Sequence, residues 1–71
     1  MLIFTQDGQL INMNDGELEI TNANKKVMLI REDEPRIVLG SYNTFERRVA
    51  VFAELYAARN SGQGKFVMPQ T

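Results

Sequence analysis

The sequence predicts an α+β domain. We expect an antiparallel β-sheet of about four to five strands, one amphipathic helix over about residues 44–60 packed on one face of that sheet, and a short C-terminal strand. Three observations lead to this prediction. Asp-Gly pairs separate short β-type segments in the first half, a continuous apolar run follows at residues 27–30, and apolar residues then recur with a helical period.

The first half of the chain has the pattern of turn residues that is typical of β-hairpins. The segments LIFTQ and QLINM flank Asp7-Gly8, and QLINM and ELEIT flank Asp15-Gly16. Asp-Gly is favoured in two-residue type I′ turns because both central residues need a positive φ. We therefore expect two consecutive hairpins, which form a meander. In the alternative, residues 12–15 make a tighter bend that sends residues 17–21 to a different neighbouring strand.

Two further strands are expected in the middle of the chain. The apolar run at residues 27–30 is typical of a strand that is covered on both faces or lies in the middle of a sheet. Residues 37–39 are expected to form a strand antiparallel to it. Pro35 comes at the start of this strand, where the N–H that proline lacks is least needed for hydrogen bonding in the sheet. The acidic residues 32–34 are expected to form the solvent-exposed turn of the hairpin that joins these strands.

A helix is predicted after the last of these strands. Thr44 is its expected N-cap, and Gly62 is expected to take the left-handed conformation that ends the helix near residues 60–61. Four residues share one stripe of a 3.6-residue period and are expected to pack on the sheet, namely Phe45, Val49, Phe52 and Tyr56. Residues 65–68 then supply the last short strand, which Pro69 ends.

The composition excludes several kinds of site. The chain has 71 residues, and we expect them to form one domain, 1–71, with a thin core. It contains no cysteine and no histidine, so it lacks thiolate and imidazole metal ligands and the commonest general base at neutral pH. We therefore expect a protein that is not an enzyme and that uses no cofactor.

Net charge and hydropathy bear on partners and location. The net charge of −1 lacks the positive excess on which non-specific nucleic-acid binding relies. No apolar run approaches the roughly 20 residues of a membrane span, and the first residues lack the features of a signal peptide. We expect a cytoplasmic protein with no membrane partner.

Five residues are candidates for an interaction site, namely Arg47, Arg48, Val51, Arg59 and Lys65. On a helical wheel, Arg48 and Arg59 border the stripe that is expected to be buried. There they either cover apolar surface with their methylene groups or join the other basic residues to bind phosphate or an acidic partner. Val51 adds apolar surface away from the stripe, which could contact a partner or a second copy. The leading hypothesis is a protein-interaction module, in which a homodimer is one possibility; the alternative is a nucleic-acid accessory protein.

One pattern in the second half of the chain resembles a known group of proteins. A strand ending in Leu-Gly-x-Tyr-x-Thr is followed by Glu-Arg on a helix, by two apolar residues five and six places after that Glu, and by an ending in aromatic-x-Met-Pro. The matching positions are Leu39, Gly40, Tyr42, Thr44, Glu46, Arg47, Val51, Phe52, Glu54, Leu55, Phe66, Met68 and Pro69. The pattern resembles small uncharacterised proteins of Gram-positive bacteria and of their phages or mobile elements.

That resemblance loosely covers most of the chain. It implies a strand-rich domain with a single helix and a phage or prophage source, and it implies no biochemical activity. One position departs from the pattern, because Arg48 stands where such proteins tend to carry alanine. Residues 37–58 also resemble part of the peptidoglycan-binding SPOR domain, in which a strand ending in Gly-Ser-Phe or Gly-Ser-Tyr precedes a helix. The first half of this chain, predicted to form hairpins, lacks the strand-helix-strand unit of that domain.

Overall fold

Six strands and one helix make up the fold. The computed structural model describes residues 1–71. The strands are β1 (Leu2–Phe4), β2 (Leu10–Asn12), β3 (Glu17–Thr21), β4 (Lys26–Ile30), β5 (Ile37–Ser41) and β6 (Lys65–Val67), and helix α1 (Phe45–Asn60) lies between β5 and β6. The predicted α+β class, the single helix and the short C-terminal strand are confirmed.

The strands form two three-stranded sheets rather than one sheet of four to five strands. The first sheet has the order β2-β1-β6 and the second has the order β3-β4-β5. In the first sheet, β1 pairs antiparallel with β2 and parallel with β6, and Leu2 lies opposite both Asn12 and Lys65. A parallel pair needs a long connection, and the second sheet together with α1 forms part of it.

The predicted second hairpin is wrong, because β2 and β3 do not pair. The alternative, a bend at residues 12–15, is confirmed, and it sends β3 to β4, where Glu17 lies opposite Ile30. Gly16 allows β3 to pair with β4 instead of with β2. Its φ is +101°, and a Cβ there would stand 2.7 Å from the carbonyl oxygen of Ile30. The backbone therefore passes too close to β4 to carry a side chain.

The β1-β2 hairpin is confirmed, but its turn is not type I′. Only Gly8 of the Asp7-Gly8 pair has a positive φ, of +92°. The Thr5 N–H donates to the Gln9 carbonyl at 2.8 Å, so three residues lie between the closing pair. This is the three-residue loop in which a left-handed glycine follows a turn.

A β-bulge in β5 connects the two sheets. Leu39 is the extra residue of β5 opposite β4, and its carbonyl accepts a 2.9 Å hydrogen bond from the N–H of Gln6, just beyond β1. The Gln6 side chain extends the link. Its Nε2 donates to the Gln70 carbonyl at 2.9 Å, and its Oε1 accepts from the Ser41 N–H at 2.8 Å. One side chain thus fastens the end of β1 to β5 and to the chain beyond β6.

Both ends of α1 are capped as predicted. The hydroxyl oxygen of Thr44 accepts from the N–H of Arg47 at 3.1 Å. At the other end Gly62 has a φ of +77°, and the Gln63 N–H donates to the Ala58 carbonyl at 3.1 Å. That bond is characteristic of a Schellman motif. The structure contains no helix with the length and apolar character needed to cross a membrane.

The helix packs on the second sheet through a face other than the predicted one. Its buried residues are Arg48, Val51, Leu55 and Ala58. The stripe predicted to be buried is instead largely exposed: Phe45, Val49 and Tyr56 are exposed, and Phe52 is half-buried. The helix carries two apolar stripes, and the stripe with the smaller apolar residues lets the helix axis come close to β3 and β4.

The core draws on both sheets and on the helix. Its buried residues are Ile3, Met13, Val27, Leu29, Leu39, Tyr42, Val51, Leu55 and Met68. The apolar run at residues 27–30 falls in β4, the middle strand of the second sheet, as predicted. Val27 and Leu29 are fully buried there, so that strand anchors the sheet on which α1 packs.

Candidate interaction surface

Three exposed apolar residues of α1 and the half-buried Phe52 form one stripe, which we call the outer helix face: Phe45, Val49, Phe52 and Tyr56. Phe45 is 52% exposed, Val49 40% and Tyr56 46%. The rings of Phe52 and Tyr56 stack with their centroids 5.8 Å apart. About half of the surface of Phe45 and of Tyr56 therefore faces solvent.

Small uncharged residues widen this surface. Ala53 and Ala57 are exposed beside the stripe. The charged residues of the helix flank this region rather than interrupt it. Glu46 lies in the first turn and Arg59 in the last. The middle of the outer helix face is therefore free of charge, as the centre of an interface usually is.

Arg48 is itself buried, at only 5% exposed, and does not lie at the border of the buried helix face as predicted. Its Nη1 donates to the Tyr42 carbonyl at 2.7 Å and its Nη2 to the Oδ1 of Asn22 at 3.4 Å, while the guanidinium lies 5.9 Å from the centre of the Phe45 ring. Neither ion pair of the protein includes it. Neutral groups hold this cation, and burial keeps it from contacting a partner.

The other predicted basic residues are not brought together. Arg47 lies at the start of α1, where its Nε donates to the Thr71 carbonyl at 3.0 Å and its guanidinium lies over the Tyr42 ring. Arg59 lies in the last turn and donates through Nη1 to the Gly16 carbonyl at 3.2 Å. Lys65 is exposed on β6. The two helical arginines are therefore at opposite ends of α1 and do not form one patch.

Val51 is a core residue with no exposed surface, so the prediction that it adds surface for a partner is wrong. Its neighbours on the same side of the helix, Leu55 and Ala58, are buried as well. The signal was present in the sequence, because these residues form a second apolar stripe along the helix. The bulk of the aromatic residues made the other stripe look like the core face.

A second exposed apolar surface lies on the first sheet. A contact through an exposed sheet face was one expectation from the sequence, but none of the residues of this surface was a candidate. Its residues are Leu2, Phe4, Leu10 and Val67, and we call it the outer sheet face. Leu10 and Val67 both lie opposite Phe4, so the three form a row across the sheet. The available signal was that β1 is apolar at every position, although the core covers only the face that carries Ile3.

A depression of about 280 Å³ lies at the start of α1 and is lined by Ser41, Tyr42, Asn43, Thr44, Arg47, Gln70 and Thr71. Burial raises the pKa of Tyr42, an effect that Arg47 partly offsets and Glu54 reinforces. The Tyr42 hydroxyl donates to the Pro69 carbonyl at 2.8 Å. This tyrosine is therefore protonated at neutral pH and is occupied in packing, not poised for proton transfer.

A second depression, of about 500 Å³, is open and lined by Asp15, Gly16, Glu17, Ile30, Arg31 and Glu32. Arg31 is tied to its surroundings through a 3.3 Å ion pair with Glu34 and a hydrogen bond to the Asn12 carbonyl. No group of three or more acidic side chains lies close enough together to hold a metal ion. Neither depression places a nucleophile beside a base.

Comparison with known proteins adds no assignment: no protein-family model, curated protein or solved structure matches this chain. The resemblance to small phage and prophage proteins therefore stays a prediction. The outer helix face and the outer sheet face are the features on which a functional proposal can be built.

Proposed function

We propose that this protein is a non-enzymatic protein-interaction module that binds its partner through the outer helix face. The observation that carries the proposal is the exposure of Phe45, Val49 and Tyr56, each between 40% and 52% accessible, on a helix that packs on the sheet through a different set of residues. Single exposed apolar residues are common on proteins and need no explanation. A contiguous stripe of them on a small domain is typical of a binding surface.

The rigidity of the helix supports this role. The cap at Thr44 and the motif at Gly62 fix both ends, and the packing of Val51 and Leu55 fixes its orientation on the second sheet. The aromatic side chains are therefore presented on a preorganised surface, which lowers the entropy lost on binding. An apolar segment laid along α1, such as a partner helix, suits a charge-free stripe of this shape.

The basic residues give less support to the alternative, a nucleic-acid accessory role. Phosphate binding needs several exposed cations on one surface. Arg48 is buried, and Arg47 and Arg59 are separated by twelve residues of helix, which is roughly 18 Å. The outer helix face itself carries no cation.

Site-specific photo-crosslinking in cells tests the proposal. The photoreactive residue p-benzoylphenylalanine is placed at position 56 on the outer helix face, at position 10 on the outer sheet face, or at position 63 as an exposed control. We expect crosslinked protein products from position 56 well above those from position 63. Equal yields from those two positions would overturn the proposal, and products from position 10 alone would move the binding site to the outer sheet face.

A further inference from the structure

The outer edge of β3 is a regular strand edge with no pairing partner. β3 and β5 are the edge strands of the second sheet. At β5, Gln6 bonds to both the Leu39 carbonyl and the Ser41 N–H. At β3, by contrast, no backbone hydrogen bond outside the pairing with β4 involves residues 17–21. The edge strands of the first sheet, β2 and β6, have only three residues each. β3 therefore offers the longest open edge in the fold.

The unpaired backbone groups of this edge belong to Leu18 and Ile20. The N–H of Lys26 points towards β3, because it donates at 3.3 Å to the hydroxyl oxygen of Thr21, the residue opposite. On the other side of Lys26, the N–H of Ser41 points away from β4. Backbone groups alternate between the two sides of a strand, so Thr21 and every second residue before it bond to β4. The N–H and carbonyl groups of Leu18 and Ile20 consequently face outward.

Two arginines show that the outer helix face lies on the side of this open edge. Arg48 donates to Asn22, just after β3, and Arg59 donates to the carbonyl of Gly16, just before it. On a helical wheel both arginines lie between the buried residues of α1 and the outer helix face. The helix therefore runs along β3, and its exposed apolar stripe lies beyond the arginines, next to the strand edge.

We infer that an extended segment of a partner protein binds here as an added strand, paired with β3 and packed against the outer helix face. Its backbone bonds to the outward groups of Leu18 and Ile20, and every second side chain packs towards Phe45, Phe52 and Tyr56. In strand addition of this kind the backbone bonds give affinity and the side-chain contacts give specificity. This inference rests on the proposed function and narrows its partner to an extended segment.

The side chains of β3 set the chemistry of that segment. Leu18 and Ile20 lie opposite buried core residues of β4, so they face α1, and both are only half-buried. Glu17 and Glu19 face the other way, and Glu17 belongs to neither ion pair. Neighbouring side chains on one face of a sheet are stabilising when both are apolar or when their charges are opposite. The segment therefore alternates apolar residues, which face α1, with lysine or arginine, which face away from it.

The same acidic residues disfavour a second copy of this chain as the added strand. If two copies of β3 paired antiparallel about Glu19, that residue would lie opposite its own equivalent. Pairing about Leu18 would place Glu17 opposite Glu19. Like charges directly opposite each other destabilise a sheet, so a basic segment gains where a second copy loses.

Peptide selection on the purified full chain tests the inference. A library of random linear peptides displayed on yeast is sorted for binding to the protein. We expect the enriched peptides to alternate apolar and basic residues. Enriched peptides whose apolar residues instead recur at intervals of three and four would indicate a helical partner and would overturn the inference. A library from which no binding peptide is recovered would overturn it as well.

Amide hydrogen exchange measured by NMR locates the selected peptide. In the free protein the outward N–H groups of Leu18 and Ile20 should exchange fast, and the N–H of Glu19, bonded to β4, should exchange slowly. With the peptide at about 100 times its dissociation constant, exchange at Leu18 and Ile20 should slow by as much as about 100-fold, because only about 1% of the protein is then free. Unchanged exchange at both positions in the bound protein would show that no strand is added.

Matched variants test the contribution of α1. Phe45→Ser with Tyr56→Ser should weaken binding of the selected peptide by about tenfold or more, because it removes the exposed rings. Leu10→Ser with Val67→Ser, the matched change on the outer sheet face, should leave binding unchanged. Far-UV circular dichroism confirms that each variant is folded. Equal binding by the wild type and the Phe45→Ser, Tyr56→Ser variant would remove the outer helix face from the site and overturn the inference.

Charge reversal tests the basic residues of the segment. Glu17→Lys should weaken binding of the selected peptide several-fold, because it places like charges side by side. Glu54→Lys makes the same change of net charge at an exposed position of α1 outside the outer helix face, and it should have little effect. Equal losses in the two variants would show that the peptide responds to net charge and not to a neighbour on β3.

These outcomes separate the inference from the proposed function. If position 56 crosslinks to a protein in cells but the selected peptides do not protect Leu18 and Ile20, the proposed function stands and the added strand is wrong. If exchange at these two residues slows with protein concentration in the absence of peptide, the occupant is a second copy and the inference is overturned. Equal crosslinking from positions 56 and 63 overturns the proposed function itself.

Discussion

The ring of Tyr42 lies against the backbone of Gly40. A Cβ at position 40 would stand 2.7 Å from the Tyr42 hydroxyl oxygen and 2.8 Å from its Cε2. On its other side the hydroxyl donates to the Pro69 carbonyl at 2.8 Å. The ring is therefore held between the end of β5 and the chain that follows β6, and it helps to fasten the C-terminal residues to the second sheet.

Gly40→Ala should lower the free energy of unfolding by about 1–3 kcal/mol, because the added methyl group forces the Tyr42 ring away from its position. Urea titration followed by circular dichroism measures the change. Gly64→Ala is the matched control, since a Cβ at that position meets nothing within 4 Å and the backbone there is not left-handed. Equal losses in the two variants would show that the contact with Tyr42 is not what requires glycine at position 40.

Tyr42→Phe should lower the free energy of unfolding at neutral pH by about 0.5–1.5 kcal/mol through loss of the hydrogen bond to Pro69. Burial raises the pKa of Tyr42 above its ordinary value of 10.0. The stability that the protonated hydroxyl contributes is therefore complete below about pH 9 and is lost as the pH rises beyond 10 through the higher pKa of the folded state.

The difference in stability between wild type and Tyr42→Phe should accordingly narrow above pH 10. Urea midpoints measured at intervals from neutral pH upward would show this. A constant difference between wild type and Tyr42→Phe across the range would contradict the expected role of burial.

Two valines on α1 report which side of the helix is buried. Val51→Ala should cost about 1.5–3 kcal/mol of unfolding free energy, because Val51 is fully buried. Val49→Ala should change the stability of the monomer by no more than about 0.5 kcal/mol, since Val49 is 40% exposed and alanine favours the helix. Dilute samples keep self-association out of the comparison. The reverse order of costs would show that the aromatic stripe is the core face.

Arg48→Lys should destabilise the fold by about 1–2 kcal/mol although it keeps the charge. The guanidinium reaches both the Tyr42 carbonyl and Asn22, whereas an ammonium group cannot hold both and is harder to desolvate. Thermal unfolding measures the loss. The adjacent Arg47→Lys is the control, and its effect should stay near 0.5 kcal/mol. If the two changes lower the stability of the fold by the same amount, the buried contacts of Arg48 contribute little to that stability.

Short-range signals in the sequence were enough to predict where the helix and the strands lie. The cap at Thr44, the stop at Gly62 and the apolar run that becomes β4 each depend on a few neighbouring residues, and all three are confirmed. Which strands pair depends on contacts across the whole chain. The Asp15-Gly16 pair looked like a hairpin turn, yet Gly16 is required by the close approach of the Ile30 carbonyl, which only the folded backbone reveals.

The candidate site was harder to predict, because α1 carries apolar residues on two sides. Periodicity identifies an amphipathic helix only when one side is polar. Here Phe45 and Tyr56 outweigh Val51 and Ala58 in bulk, so the pattern favoured the wrong side. The burial of Arg48 could not be foreseen either, since it depends on the Tyr42 carbonyl and Asn22, the latter far away in the sequence.

The parallel pairing of β1 with β6 has a consequence for synthesis on the ribosome. Leu2 pairs with Lys65, so β1 is made about sixty residues before its second neighbour exists. Until then β1 presents an open strand edge, whose unpaired N–H and C=O groups can bond to other proteins in the cell. We expect proteins that bind extended apolar segments to engage the nascent chain before β6 is made and not after it has paired with β1.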